Sequence, residues 1–218
     1  MSNNMTIGNL IIVSAPSGAG KTTLVTEVLR LDSRVRPSIS FTSRTPRAGE
    51  IDGVHYHFVT LERFQSLIEA GELLEWALVH GNYYGTGSQA ITDLRQAGFD
   101  VILTIDVQGE QQVRQFFSDA VTVFILPPSY QVLVERMDSR GDTDNATFRL
   151  RLRNALGEVA SYRRFDYVIV NDRLPEAVDE LATIIRAARF RGDRRSMIAE
   201  EILQTFEDLQ GDMNNGQA

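Results

Sequence analysis

Short apolar runs alternate with longer amphipathic segments along most of the chain. Four runs rich in Val, Ile and Leu and bounded by turn residues predict buried strands; they lie at Leu10–Val13, Val101–Ile105, Val121–Leu126 and Tyr167–Val170. Between them, apolar residues recur three and four positions apart, which predicts helices. Nearly continuous apolar strands that alternate with helices are typical of a parallel sheet covered on both faces, so the sequence predicts an α/β fold.

Two stretches, 38–86 and 138–150, interrupt this alternation. The first is rich in arginine and in turn residues. Its pattern predicts one helix and three short strands, over 61–70, 55–59, 73–79 and 82–85 respectively. The second stretch is polar and rich in turn residues. We expect both to be insertions into the core, the first carrying the acceptor site and the second forming a mobile lid.

The chain from Arg191 onward has a different pattern. Ile198, Ile202, Phe206 and Leu209 lie on one face of a predicted helix, and acidic residues lie opposite. We expect this terminal helix to pack on the body of the protein, with a contact in a homo-oligomer as the alternative.

Composition narrows the function classes. The 218 residues fit one globular domain, and the absence of cysteine excludes disulfides, thiolate metal sites and a cysteine nucleophile. A net charge of -7 argues against a general nucleic-acid binder, which is usually basic. No apolar run approaches the roughly 18 residues of a membrane span, and the N-terminus lacks the blocks of a signal peptide. We therefore expect a cytoplasmic protein that binds neither membranes nor nucleic acids.

The strand Leu10–Val13 runs into a phosphate-loop pattern within Ser14–Thr23. The pattern is G-x-x-x-x-G-K-[ST], and the chain matches every position except the first, where Ala15 replaces glycine. Backbone N–H groups of such a loop surround phosphate oxygens, and the following helix points its positive end at the same anion. Lys21 supplies a charge to the outer phosphates and Thr22 a hydroxyl to Mg²⁺. The sequence therefore predicts binding of a nucleoside triphosphate and transfer of its terminal phosphoryl group.

A second set of anion-binding groups follows in the first insertion. Arg44 and Arg47 stand three apart in a turn-rich segment of an acidic protein. Guanidinium groups can bind phosphate oxygens in pairs, and Tyr56 and Tyr84 offer phenolic donors to the same kind of anion. Two arginines taken alone are more often a solvated surface, so the interpretation depends on the whole series of motifs.

That series extends from the phosphate loop to the last predicted strand. Its members are Ala15–Thr22, Ser43–Arg47, Gly49-Glu50, Asp52-Gly53, Tyr56, Glu75-Trp76, Gly81–Gly85, Ile105–Gly109, Arg140-Gly141 and Val170–Asp172. In this order they resemble the guanylate kinase family over about residues 8–190. The resemblance implies a three-layer P-loop kinase fold with a parallel sheet core, an inserted GMP-binding subdomain and a lid. It also implies transfer of the γ-phosphoryl group of ATP to GMP, giving ADP and GDP, with Mg²⁺ as cofactor.

The resemblance also implies boundaries and residue roles. A single domain would span 1–190, with core segments 8–37, 87–137 and 151–190, the GMP-binding insertion 38–86 and the lid 138–150, before a C-terminal helix and tail over 191–218. ATP would be bound by Ala15, Pro16, Ser17, Gly18, Ala19, Gly20, Lys21, Thr22, Arg136, Arg140 and Asn171. GMP would be bound by Ser40, Arg44, Arg47, Tyr56, Glu75, Tyr84, Thr86 and Asp106. The catalytic residues would be Lys21, Arg44, Arg140 and Arg151, and Thr22 would contact Mg²⁺ beside the ATP phosphates.

Two other function classes stay open at this point. A guanylate-kinase-like interaction module keeps the fold without catalysis, but such modules typically lack an intact phosphate loop, and here Lys21 and Thr22 are present. A P-loop kinase of another acceptor, or a GTPase, is the third interpretation. The chain also departs from the family in having Thr104 where an acid usually precedes Asp106 by two residues, so that one carboxylate stands where two are common.

Overall fold

The computed structural model describes residues 7–79, 81–138 and 145–215, except the side chains of 138, 145–151 and 209–215. Its strands are Leu10–Ser14 (β1), Val35–Pro37 (β2), Phe41–Thr42 (β3), His57–Phe58 (β4), Leu73–Val79 (β5), Asn82–Gly87 (β6), Asp100–Thr104 (β7), Val121–Leu126 (β8) and Tyr167–Val170 (β9). Its α-helices are Lys21–Leu31 (α1), Leu61–Glu69 (α2), Ser88–Gln96 (α3), Val107–Phe116 (α4), Tyr130–Asp138 (α5), Asn145–Val159 (α6), Leu174–Ala188 (α7) and Gly192–Asn215 (α8), and a 3-10 helix covers Ala160–Arg164.

The larger sheet has the strand order β2-β7-β1-β8-β9, and its strands pair in parallel. Side chains of β1 alternate between the two faces, as the pleat requires. Ile11 and Val13 belong to a buried cluster with α1 and α7, whereas Leu10 and Ile12 belong to a cluster with α3 and α4. The predicted α/β fold, with a parallel sheet covered on both faces, is confirmed.

The apolar pattern does not predict strand β2, and it does not show that β9 lies at the edge of the sheet. Strand β2 is three residues long, and only Val35 among them is buried, so no apolar run predicts this strand. Strand β9 was predicted, but it lies at the edge of the sheet, and of its side chains only Ile169 is buried. Pairing with β7 and β8, respectively, holds these two edge strands in place.

A second, smaller sheet forms within the stretch 38–86, in the order β4-β3-β6-β5. Strands β5 and β6 form an antiparallel hairpin, and Gly81, at its turn, has a φ of +79°. Phe64 and Leu67 bury one face of α2. The strand predicted over 55–59 is shorter in the structure, because only β4 pairs there with β3. The division into core, insertion, lid and tail stays a prediction. Residues 139–144 of the proposed lid lie outside the described residues, as do the side chains of its other members.

Helix α8 exists where the sequence predicts a terminal helix, but its expected packing on the body is wrong. Every residue from Arg195 to Asp208 is exposed, including Ile198, Ile202 and Phe206, while the side chain of Leu209 lies outside those described. The physical reason is that both faces of the larger sheet are already covered by other helices. None of the helices in the described part of the chain combines the length and apolarity of a membrane span.

Candidate active site

The phosphate loop connects the buried strand β1 to the first residue of α1. Gly18 and Gly20 have φ angles of +89° and +92°, a backbone conformation that favours glycine. A side chain at Gly20 would also collide with Asn171, since its Cβ would lie 2.3 Å from the Asn171 Nδ2 atom. Ala15, which replaces the first glycine of the phosphate-loop pattern, is partly buried and packs against the core. The loop therefore has the tight backbone shape that the motif predicts.

Lys21 begins α1 and turns towards the end of β7. Its Nζ donates a hydrogen bond to the Ile105 carbonyl oxygen at 3.1 Å, and the Ser14 hydroxyl donates to the same oxygen at 2.8 Å. Burial lowers the pKa of Lys21, while Asp106, Glu158 and Glu75 oppose that shift. This lysine is thus held beside several carboxylates.

A cavity of about 190 Å³ lies between the ends of the two sheets. Its wall contains five of the residues predicted to bind GMP: Ser40, Tyr56, Glu75, Tyr84 and Asp106. It also contains Ile105, whose carbonyl oxygen accepts from Lys21. The phosphate loop and this cavity therefore meet at the carboxyl end of β7, where ligands bind in open α/β sheets.

Glu75 is the buried carboxylate of the cavity, with 7% of its surface exposed. The Thr86 hydroxyl donates to Glu75 Oε1 at 2.5 Å, and Thr86 itself is fully buried and does not line the cavity. Burial and the neighbouring Asp106 raise the pKa of Glu75 to about 7, against the Thr86 hydrogen bond and Lys21. Gly109 permits this approach, because a Cβ there would lie 3.0 Å from Glu75 Oε2.

Asp106 stands at the start of α4 and caps that helix. Its Oδ1 accepts from the backbone N–H groups of Gln108 at 2.9 Å and Gly109 at 2.8 Å. The carboxylate is therefore fixed in direction and sits at the positive end of a helix. Thr104, two residues before Asp106, is exposed and lines the same cavity.

Arg44 is held at the site by a residue to which sequence reasoning gave no role. Glu50 Oε1 accepts from Arg44 Nη2 at 2.8 Å, and Glu50 Oε2 accepts from the Arg47 backbone N–H at 2.7 Å. Arg44 and the Arg47 backbone N–H lower the pKa of Glu50 to about 2. The Arg44 guanidinium also lies 5.6 Å from the centre of the Tyr56 ring. Arg47, by contrast, is exposed.

A second cavity, of about 280 Å³, lies on the other side of the phosphate loop. Gly18, Gly20, Arg136 and Asn171 from the predicted ATP-binding set line it. Asn171 Nδ2 donates to the Ala19 carbonyl oxygen at 2.8 Å, and Arg136 Nη1 donates to the Asn171 carbonyl oxygen at 2.9 Å. These residues form one connected wall. Arg140 lies outside the described residues, as does the side chain of Arg151.

Glu158 also faces the phosphate loop, although the sequence gave it no function. Burial and Asp106 raise its pKa, while Lys21 and a hydrogen bond from the Ser17 backbone N–H oppose the shift. No group of three His, Cys, Asp or Glu side chains suited to a metal occurs within the described ranges. Thr22, whose contact with Mg²⁺ stays a prediction, is exposed at the second residue of α1.

Comparison with known proteins agrees with this geometry. A family model described as guanylate kinase matches residues 7–188. A guanylate kinase of Neisseria meningitidis serogroup B is 47% identical over 197 residues, which are 90% of this chain and 96% of that protein. One of Aromatoleum aromaticum is 49% identical over 206 residues, 94% of this chain and 99% of that protein.

A solved structure gives the same result for the fold. The crystal structure of guanylate kinase from Anaplasma phagocytophilum superposes with a TM-score of 0.71 at 32% identity, covering 87% of this chain and 90% of that chain. Sequence, fold and the two cavities around the phosphate loop thus agree, and the chain belongs to the guanylate kinase family.

Proposed function

We propose that the chain transfers the γ-phosphoryl group of ATP to GMP and releases ADP and GDP. The observation that supports this best is the hydrogen bond from Lys21 Nζ to the Ile105 carbonyl oxygen, at 3.1 Å. Ile105 lines the cavity that contains Glu75, so the donor loop borders the acceptor cavity directly. The membership of the guanylate kinase family supports the same reaction.

The donor half of the site is the phosphate loop, Ala15–Thr22, with Arg136 and Asn171 on its far side. Its backbone N–H groups and Lys21 would bind the β- and γ-phosphates of ATP. Thr22 would hold Mg²⁺ against those phosphates. When bound, that ion supplies positive charge to the phosphate oxygens.

The acceptor half is the cavity between the sheets. Arg44, Arg47, Tyr56 and Tyr84 would bind the GMP phosphate, while Ser40, Glu75 and Asp106 would orient the guanine. Thr86, which does not line the cavity, would act through its hydrogen bond to Glu75. A carboxylate at Glu75 can accept from both the ring N–H and the exocyclic amine of guanine. Adenine lacks that pair of donors and would leave the buried carboxylate with no hydrogen bond beyond the one from Thr86, which disfavours AMP.

The reaction needs no general base from the protein. An oxygen of the GMP phosphate forms the new bond to the γ-phosphorus, and the bond to the β–γ bridging oxygen breaks, so that the electron pair leaves with ADP. Catalysis then rests on positioning and on stabilising negative charge, the proposed work of Lys21, Arg44, Arg140 and Arg151. A cytoplasmic location stays a prediction.

A coupled assay with ATP and each of GMP, AMP, UMP and CMP tests this proposal. We expect turnover of GMP far above that of the other acceptors. Glu75→Gln should weaken GMP use selectively, because the amide offers only one acceptor atom, whereas Lys21→Ala should lose turnover with every acceptor. Preference for AMP over GMP in the unmodified chain would contradict the proposal, and an equal loss on all acceptors in Glu75→Gln would contradict guanine reading by that residue.

A further inference from the structure

A further cavity, of about 160 Å³, lies at the amino end of β1 and β7, and we call it the arginine cavity. Asn9, just before β1, and Asp100, the first residue of β7, line it. Four of its nine lining residues are arginines: Arg34, Arg189, Arg194 and Arg195. The phosphate loop follows the opposite end of β1, roughly 20 Å away at about 3.3 Å per residue. The arginine cavity shares no described lining residue with the two candidate substrate sites, so it is a separate feature of the fold.

The ion pairs around the arginine cavity leave positive charge in excess. Asp32 and Asp119 are each shared by two arginines. Within the described part of the chain no carboxylate pairs with Arg195, whose Nε donates to the Arg189 carbonyl oxygen at 3.2 Å. The group consists of five arginines and three aspartates: Arg34, Arg95, Arg189, Arg194 and Arg195, with Asp32, Asp100 and Asp119. It therefore has two more positive than negative charges, in a chain whose net charge is -7.

Polar atoms without partners lie on the wall of this cavity. Asn9 Oδ1, Arg189 Nη1 and Arg194 Nε are buried, and they have no hydrogen-bond partner among the described residues. Buried polar groups in native proteins are nearly always hydrogen-bonded. A ligand that accepts from the two arginines and donates to Asn9 would satisfy these atoms. Water can form such bonds, but it leaves the two excess charges uncompensated, so the charges favour an anion.

The orientation of the Asn9 amide selects among anions. Its Nδ2 donates to Asp100 Oδ1 at 2.7 Å. The same carboxylate oxygen accepts from the Asn9 backbone N–H at 2.8 Å, so the reversed amide would set two acceptors against each other. Oδ1 is therefore the free end of the amide, and an anion beside it must carry a proton. Phosphate keeps a proton near neutral pH, whereas sulfate has none.

We propose that the arginine cavity binds a hydrogen phosphate ion, with Arg189 and Arg194 as donors and Asn9 Oδ1 as the acceptor of its proton. A phosphate group carries a charge of about -1.5 to -2 near neutral pH, which matches the excess of the arginines. The cavity is smaller than the roughly 300–1,000 Å³ of pockets for drug-sized ligands, which favours the free ion over a phosphate group on a nucleotide. The ion would join the starts of β1 and β7 to the end of α7 and the start of α8.

Calorimetric titration with inorganic phosphate tests the proposal, with GMP and ADP at saturation to occupy the candidate substrate sites. Arg194→Gln should weaken phosphate binding by about tenfold or more, because it removes a charge and a buried donor. Arg195→Gln removes a charge from an exposed side chain, so it should weaken binding without affecting the fold. Arg191→Gln is the matched control, because Arg191 is exposed, pairs with Asp193 at 3.2 Å and does not line the cavity.

Two further titrations of the unmodified chain identify the ion. Sulfate should bind about tenfold more weakly than phosphate or worse, because it offers no proton to Asn9 Oδ1. Ribose 5-phosphate, which carries its phosphate on a sugar, should also bind more weakly than the free ion. Sulfate that binds as tightly as phosphate would overturn the assignment of hydrogen phosphate. Equal binding of ribose 5-phosphate would overturn the choice of the free ion.

The variants decide whether the arginine cavity is the site. Phosphate binding that is weakened in Arg194→Gln and Arg195→Gln and kept in Arg191→Gln supports the proposal. An unmodified chain that binds no phosphate would overturn it, as would an equal loss in all three variants. The unfolding temperature gives a second readout, because phosphate should raise it in the unmodified chain and in Arg191→Gln, and less in the other two variants. Turnover of GMP is independent of this result, since none of the three arginines belongs to the proposed active site.

Discussion

At the residue scale, single charged side chains derive their properties from the neighbours that the fold places beside them. Glu75 is an ordinary glutamate in the sequence, yet burial and Asp106 raise its pKa to about 7. Arg44 is one of two arginines in a turn-rich segment, yet Glu50 orients it, while Arg47 stays exposed. Sequence reasoning identified Glu75 and Arg44 through the family motifs. It could not find the pKa shift or the role of Glu50, because both depend on contacts.

The pKa of Glu75 predicts a pH dependence of GMP binding. Above about pH 7 the carboxylate is ionised and can accept both guanine donors, whereas below it the protonated acid cannot. The KM for GMP should therefore rise as the pH falls below 7, approaching tenfold per unit. Initial rates at saturating ATP between pH 5.5 and 8.5 measure this effect.

Glu75→Gln is the control for that experiment, because the GMP phosphate itself titrates near pH 6, as phosphate monoesters do. The variant keeps the titration of the phosphate and removes that of the carboxylate. Equal pH slopes of KM in the variant and in the unmodified chain would show that Glu75 is not the titrating group.

At the element scale, apolar runs predict the strands of the sheet interior closely. β8 has its predicted bounds, and each end of β1 and β7 lies within one residue of its prediction. Short strands such as β2 and β3 escape prediction, because pairing with neighbours, and not an apolar run, makes them strands. The phosphate loop is predictable from its glycines, but the contact that closes it, from Asn171 to Ala19, joins residues 152 positions apart.

That contact predicts the effect of a change at Gly20. Gly20→Ala forces a side chain into a left-handed backbone position and against Asn171. We expect a loss of about 1–3 kcal/mol in the free energy of unfolding and a large rise in the KM for ATP, since the loop must shift. Chemical denaturation and steady-state kinetics measure the two effects.

The matched control is Gly71→Ala. Gly71 also has a positive φ, of +66°, but a Cβ there would meet nothing within 4 Å. This variant should lose stability by a similar backbone cost and keep its KM for ATP. An unchanged KM for ATP in Gly20→Ala would contradict the tight-loop interpretation.

At the scale of the whole molecule, the chain holds its two candidate substrate sites apart, on either side of the phosphate loop. The cavities of about 190 and 280 Å³ have no lining residue in common among those described. Phosphoryl transfer requires reacting atoms about 3–3.5 Å apart in a site that excludes water. We therefore expect the stretch 38–86 to close towards the core when both substrates are bound.

Small-angle X-ray scattering measures that closure. The radius of gyration should fall when GMP and a non-hydrolysable ATP analogue are both present, and should change less with either alone. Identical scattering curves with and without both ligands would contradict the closure.

The sequence by itself determined the interior strands, the phosphate loop and the family, because each depends on short segments of the chain: an apolar run, a glycine pattern, an ordered series of motifs. The tertiary structure alone decided the properties that arise between distant residues. It brought Lys21 to the Ile105 carbonyl oxygen, 84 positions away, and buried Glu75 against Thr86. It also left Ile202 and Phe206 of α8 exposed, because the larger sheet was already covered on both sides, and a local sequence pattern does not show which surfaces the rest of the chain covers.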